Sequence, residues 1–298
     1  MLLTTRVRLT VYLGGVIALF VALHLLPLPS AVLASRATTI SEVCVTNVRA
    51  TAFTVSWITG AENTGHIIYG TSPTTLTQTT YDVRGPSFED DTHYVTVSQL
   101  TDKTPYYFDV VSGGTTDDNG GAHYVVTTGP VLTSTAGLDT VYGQVWRADG
   151  ATEAAGTIVY ITLADADGSG YPGAAAPMSA LVEPNGWWSA NLGNARRPDL
   201  GDYFAYSQSG DELQLCAQGA GDGEGSLTVD TLDTAPAPDM VLSGSTSIVY
   251  LPLVLSEPGG ASVSASASLP RLRALGPVIL PCGRTWRGTG ADRVGPKR

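Results

Sequence analysis

Two groups of residues have types and spacing suited to chemistry: the acidic run Asp165-Ala-Asp167-Gly-Ser169-Gly170 and the aromatic residues Tyr142, Trp146, Tyr160, Trp187 and Trp188. Oxygen-bearing side chains at alternate positions open a calcium loop, because a hard cation needs several oxygens converging from one short turn. Gly170 suits the sixth position of such a loop. Ala176, however, stands at the twelfth, where a bidentate Glu belongs, and Pro172 with the small residues at 173–176 leaves no second helix. Asp and Gly at these spacings also build metal-free turns. Asp165, Asp167 and Ser169 are therefore weak calcium candidates in a loop expected to hold no metal, and no cofactor is expected.

Catalytic constellations are scarce. A serine hydrolase needs an activated Ser with a His base, commonly in a GxSxG elbow, and the chain has no such elbow. Its histidines are His24, His66, His93 and His123. His66 adjoins a strand and His93 begins one, so both read as structural. Glycosidases need two carboxylates across a cleft. With 27 acids in the chain, carboxylate pairs arise by chance and no pair stands out. The expectation is a non-enzyme with no catalytic residue. Cys44, Cys216 and Cys282 are far apart and odd in number, which argues against a CxxC metal site or a disulfide framework and for a lone buried thiol.

The elements that would position these groups are short strands. In TAFTVSWIT, Phe53, Val55 and Trp57 alternate with Thr54, Ser56 and Ile58, so one face carries a large apolar set and Trp57 belongs in a core. Val95 and Val97 alternate in HYVTVSQL, and Tyr106, Phe108 and Val110 in the strand after Thr104-Pro105. The pattern Leu100-x3-Thr104-x-Tyr106-x-Phe108-x-Val110-x-Ser112, with Trp57 upstream, resembles a fibronectin type III domain. That resemblance implies that Tyr106 bonds back to nearby backbone at a sandwich corner. The segment IIYGTSPTTLTQ, residues 67–78, is closer to the fibronectin-like domain that precedes the catalytic domain in purple acid phosphatases. Those enzymes hold two metals with several His and Asp residues and a Gly-Asn-His signature. This chain has no such signature and no His after the first domain, so the resemblance covers the accessory domain and not the activity.

Beyond the small-residue linker 131–138, strand grammar resumes in TVYGQVWRADG, GTIVYITL, SALVEPNGWWSANL, ELQLCAQG, SLTVDTL and DMVL. The run YGQVWRADGATEAAG with TIVYITL and GWWSANL looks like the carboxypeptidase regulatory-like family of small β-sandwiches, which is associated with structural and binding roles. The fold class is thus all-β: two tandem Ig-like or fibronectin-type β-sandwiches after an N-terminal export signal. The expected divisions are a signal peptide or membrane anchor at 1–34, the fibronectin type III-like domain at 38–130, the second sandwich at 139–255 and a disordered basic tail at 256–298.

The export signal is read from Arg6 and Arg8 ahead of the apolar stretch 9–26, then Pro27, Pro29 and a small-residue site ending at Ala34. Cleavage there, or retention as an anchor, puts the remainder outside the cytoplasm, secreted or at the cell surface. Residues 37–270 carry 26 acids and six bases, a net of −20, which excludes nucleic acid and anionic membrane as partners of the body. The membrane is then a partner only through an uncleaved N-terminal segment. Residues 245–255 form an apolar run too short to span a bilayer, which resembles the YLPLV-type segment closing many exported proteins.

The expected function is that of a non-catalytic extracellular or surface-attached structural and interaction protein, whose partner is an unknown extracellular protein or polysaccharide. The alternatives are a carbohydrate-binding accessory protein and a secreted hydrolase with a carboxylate-only site. Alternation leaves Tyr142, Trp146 and Tyr160 on outer faces, joined by whichever of Trp187 and Trp188 points outward, since strand neighbours cannot share a side. These rings either form a contact surface or pack against the first domain or under the loop at 191–210.

Overall fold

A computed structural model of the chain describes residues 38–244, where the regular structure is β-strand apart from three single-turn 3₁₀ segments. Among the described residues no helix is long and apolar enough to cross a membrane. The export segment, the apolar run at 245–255, the basic tail and Cys282 lie outside the described residues.

The first sandwich is built from β1 (Ile40–Thr46), β2 (Phe53–Gly70), β3 (Gln78–Tyr81), β4 (Glu89–Val97), β5 (Pro105–Ser112), β6 (Thr115–Asp117) and β7 (Tyr124–Thr127). β2 is long because it serves both layers. Its first half pairs with β1 and β4, while its second half pairs with β5 and β3. The alternating residues Phe53, Val55, Trp57, Val95, Val97, Phe108 and Val110 meet between the layers, each fully buried. Burying Phe53 and Phe108 contributes roughly 2–3 kcal/mol each. The Trp57 indole N–H donates to Ser112 Oγ at 2.9 Å, so its one polar atom is satisfied. The Tyr106 hydroxyl accepts from the backbone N–H of Thr101 at 3.0 Å, the corner bond that the fibronectin type III resemblance implies.

The second sandwich adds β8 (Thr140–Trp146), β9 (Ile158–Ala164), β10 (Met178–Leu181), β11 (Trp187–Asn191), β12 (Glu212–Gln218), β13 (Glu224–Asp230) and β14 (Met240–Val241). Its layers run β10-β9-β12-β13 and β11-β8-β14, and β14 lies parallel to β8. Val141, Val145, Val159, Ile161, Leu163, Leu213, Leu215 and Trp188 fill the space between them. The fold is all-β, in two sandwiches.

The two sandwiches pack face to face. The outer face of β1-β2-β4 meets the outer face of β10-β9-β12-β13 through Cys44, Tyr94, Ile158, Tyr160 and Cys216, with Leu181 at the side. Around this small apolar patch lie polar residues that alternation had turned away from the first core: Thr46, Thr54 and Ser56, all buried. Burial of a hydroxyl is tolerable only when it is bonded. Ser56 Oγ pairs with Tyr160 Oη at 2.9 Å, Thr46 Oγ1 with Ser179 Oγ at 2.6 Å, and Thr92 Oγ1 donates to the Gly156 carbonyl at 2.8 Å. Arg196 reaches across to donate to the Pro130 carbonyl at 2.9 Å.

Of the two placements expected for Tyr160, packing against the first domain is the one found: the first sandwich covers its outer face and leaves the ring 5% exposed. One expectation changes: the lone buried thiol is right for Cys216, but Cys44 is disulfide-bonded.

Candidate functional site

The run Leu181 to Trp188 forms a tight connection between β10 and β11: Glu183 N–H donates to the Trp187 carbonyl at 2.8 Å and Gly186 N–H to the Glu183 carbonyl at 2.9 Å. Pro184, Asn185 and Gly186 supply the turn residues. From this turn the strands diverge into different layers, β10 pairing with β9 and β11 with β8. The diverging edges, together with Val83 and Tyr94 of the first sandwich, line a groove of about 480 Å³. Tyr142, Glu183, Asn185, Trp187 and Ser189 are among its lining residues. An adjoining hollow of about 280 Å³ shares Tyr94, Ser179 and Ser189 and continues past Asn47, Arg49 and Asn191.

Trp187 is 36% exposed, and its ring lies 5.8 Å from that of half-buried Tyr142, tilted at 43°. The register places Trp187 opposite Gln144 and Ser189 opposite Tyr142, so this face alternates rings with polar groups. Trp146 lies on the same face of β8, its indole N–H donating to Asp239 Oδ2 at 3.0 Å. Trp188 points the other way and is 2% exposed in the core. Of the five aromatic residues singled out, the structure therefore brings Tyr142, Trp146 and Trp187 together on one face, while Tyr160 and Trp188 are buried elsewhere. Leu181, Glu183, Asn185, Tyr94 and Val83 were missed. The Pro-Asn-Gly turn was the signal available for the β10–β11 part, whereas Val83 and Tyr94 arrive by packing between sandwiches.

The acidic loop brings Asp165 and Asp167 together with Asp211, their carboxylate oxygens within 4.8 Å of one another. Asp211, 45 residues beyond the Ala166 N–H it bonds, takes the place that sequence spacing gave to Ser169. Each carboxylate has backbone partners. Asp165 accepts from Gly168 N–H and Asp167 from Ser169 N–H, both at 2.7 Å, while buried Asp211 accepts from Ala166 at 3.0 Å and Ser207 at 2.8 Å. The Ser169 backbone bond is the chief cause of a lowered Asp167 pKa. These bonds pin two loops.

One grouping imitates a catalytic triad. Thr59 Oγ1 lies 3.3 Å from His93 Nε2, and His93 Nδ1 lies 4.0 Å from Asp82 Oδ2. The second distance is too long for a hydrogen bond. Asp82 is committed to Arg84, with Nε to Oδ1 at 2.8 Å, and Thr59 donates to the Ala61 carbonyl at 2.8 Å. His93 is 1% exposed, stacked on Trp57, and burial pushes its pKa down to about 4. A substrate cannot reach it. His123 pairs with Asp109 at 2.6 Å, the chief cause of its raised pKa, and no hydroxyl nucleophile is bonded to its ring among the described residues. His66 lies against Tyr81 at 5.5 Å between ring centroids, its pKa lowered by burial.

No known protein family matches the chain, and no curated protein matches it. Among solved structures, the crystal structure of chicken CNTN1 FN1–FN3 domains is similar at 12% identity with a TM-score of 0.21, over 69% of this chain and 66% of that one. The match thus spans slightly less than two thirds of that chain.

Proposed function

We propose that this chain is a non-catalytic recognition protein that works outside the cytoplasm and holds its ligand at the groove between β10 and β11. One observation carries the reading: an aromatic pair, exposed Trp187 and half-buried Tyr142, at a groove between two sandwiches. Large rings offer contact area at low entropic cost and are enriched where binding energy concentrates. The lack of a usable nucleophile–base pair among the described residues supports a role without catalysis. Export rests on the basic start, apolar stretch and small-residue site of residues 1–34. The sequence resemblances to the accessory domain of purple acid phosphatases and to carboxypeptidase regulatory-like sandwiches favour the same kind of role.

The test is capture by immobilised protein from the surface and medium of the producing cell, comparing wild type with Trp187→Ala and Tyr142→Ala. Loss of capture with unchanged melting supports the reading. Equal capture by all three proteins would place the contact surface elsewhere.

A further inference from the structure

We infer that the groove takes a neutral saccharide chain, an inference that rests on the groove being the recognition site. Polar groups without a partner surround the aromatic pair: the Glu183 carboxylate, the Gln144 amide, the Ser189 hydroxyl and the Asn185 Nδ2 make no hydrogen bond within the described residues. Rings beside free donors and acceptors match a pyranose, which has an apolar C–H face and a rim of hydroxyls that both donate and accept. Such exposed groups bond water when the groove is empty and exchange it for sugar hydroxyls when filled, each at a modest net gain.

Charge selects the neutral class. The lining of the aromatic groove includes one carboxylate, Glu183, and no base, within a described body of 25 acids and six bases. Polyuronates, sulfated chains and phosphate polymers are repelled from such a surface. The first base along the groove is Arg49, in the adjoining hollow.

An extended peptide is disfavoured by the state of the flanking strands. Peptides commonly dock by adding a strand to an open edge. On β10, the Ser179 N–H and carbonyl are both taken by the Asn47 carboxamide, at 3.1 and 3.0 Å. On β11, the Trp187 N–H donates to Asn185 Oδ1 at 3.2 Å and its carbonyl accepts from Glu183. With the edge-facing groups of Ser179 and Trp187 taken in this way, side chains carry most of the recognising. The groove's 480 Å³ lies within the usual range for ligand sites, about 300–1,000 Å³, and the adjoining hollow, sharing Tyr94, Ser179 and Ser189 with it, adds about 280 Å³.

The experiment titrates the full exported chain with β-1,4-linked glucose, xylose and mannose hexaoses and with maltohexaose, following tryptophan fluorescence and calorimetric heat, with polygalacturonate and a tryptic casein digest as contrasts. The expected result is saturable binding of at least one neutral hexaose, weakened about tenfold or more by Trp187→Ala and by Tyr142→Ala, and measurably by Gln144→Ala, at unchanged melting. If no neutral hexaose binds while Trp187→Ala still abolishes capture from the cell surface, the saccharide inference fails and the recognition site stands. Tighter binding of polygalacturonate or casein peptides overturns it in the same way. Unaltered hexaose binding by both aromatic variants overturns the site itself.

Discussion

The carboxamide of Asn47 pairs with the backbone of Ser179 as a neighbouring strand would, accepting from its N–H at 3.1 Å and donating to its carbonyl at 3.0 Å. The Asn47 backbone N–H extends the pattern by donating to the Pro177 carbonyl at 3.0 Å. Asn47 holds φ of 53°, a left-handed conformation that Asn tolerates better than most residues. One side chain thereby caps the edge-facing groups of Ser179 and joins two sandwiches. Asn47→Ala should cost about 2–3 kcal/mol, about 1 kcal/mol for each of the two bonds to the Ser179 backbone and a further amount for backbone strain. Asn47→Gly relieves the strain but not the bonds, so it should recover only part of the loss. Urea unfolding of both variants checks this. A loss under about 0.5 kcal/mol for Asn47→Ala would mean that the junction does not depend on it.

The buried Tyr160 hydroxyl pairs with Ser56 at 2.9 Å and burial raises its pKa. Tyr160→Phe keeps the ring but strands Ser56, and should cost about 1 kcal/mol. Tyr160→Ser removes the ring as well and should cost about 3–5 kcal/mol, as large-to-small changes in cores do. Hexaose binding should be unchanged in whichever of the two stays folded. If Tyr160→Phe weakened binding at unaltered stability, the ring's place in the junction would be a poor guide to its role.

Strand alternation made the two cores legible in the sequence: Phe53, Val55 and Trp57 are buried, as are Val159, Ile161 and Leu163. What alternation cannot convey is what covers the opposite face. Alternation put Thr54, Ser56 and Tyr160 on faces turned away from the cores without saying what lies over them, and all three face a second sheet. Polar residues at a well-bonded junction have the same composition as polar residues in water. The aromatic face was legible for Tyr142 and Trp146, because period-two geometry fixes side within a strand. Asp211 was not legible as a neighbour of Asp165 and Asp167, since pairing of β12 with β9 brings it there.

Asp211 is fully buried and holds the backbone N–H groups of Ala166 and Ser207. Asp211→Ala orphans both donors, and should lower stability by about 2–4 kcal/mol. Because the bonds are to backbone, the loss should be the same in chelator and in millimolar calcium, and calcium should raise the wild-type melting temperature little. Differential scanning calorimetry with and without calcium separates the cases. A saturable rise in wild-type melting that Asp211→Ala abolishes would assign the three acids to a metal.

The last prediction concerns acid. His93 is 1% exposed between Trp57 and the Asp82–Arg84 pair, and Gly65 packs so closely over its ring that a Cβ there would lie 2.3 Å from Nδ1. Burial is the largest cause of its depressed pKa, opposed by Asp82 and Asp90 and aided by Arg84. The unfolded chain binds this proton near pH 6.5, whereas the folded chain binds it only near pH 4. Between those values the unfolded state holds more protons, so stability must fall as pH falls, by about 3 kcal/mol across the window. Asp82, whose pKa burial raises but Arg84 and backbone bonds together bring below the ordinary value, adds a loss of the same sign at still lower pH, while Asp91, raised by burial, works in the opposite direction. His66 shares the sign of His93, and the raised His123 has the reverse sign, its contribution being lost as pH rises. The variant His93→Phe isolates the term, since the other groups titrate in both proteins. Urea unfolding at half-unit steps from pH 7.5 to 4 should show wild type losing about 3 kcal/mol relative to His93→Phe, most steeply below pH 6.5. Parallel curves for the two proteins would mean that His93 is protonated as readily in the fold as in the open chain.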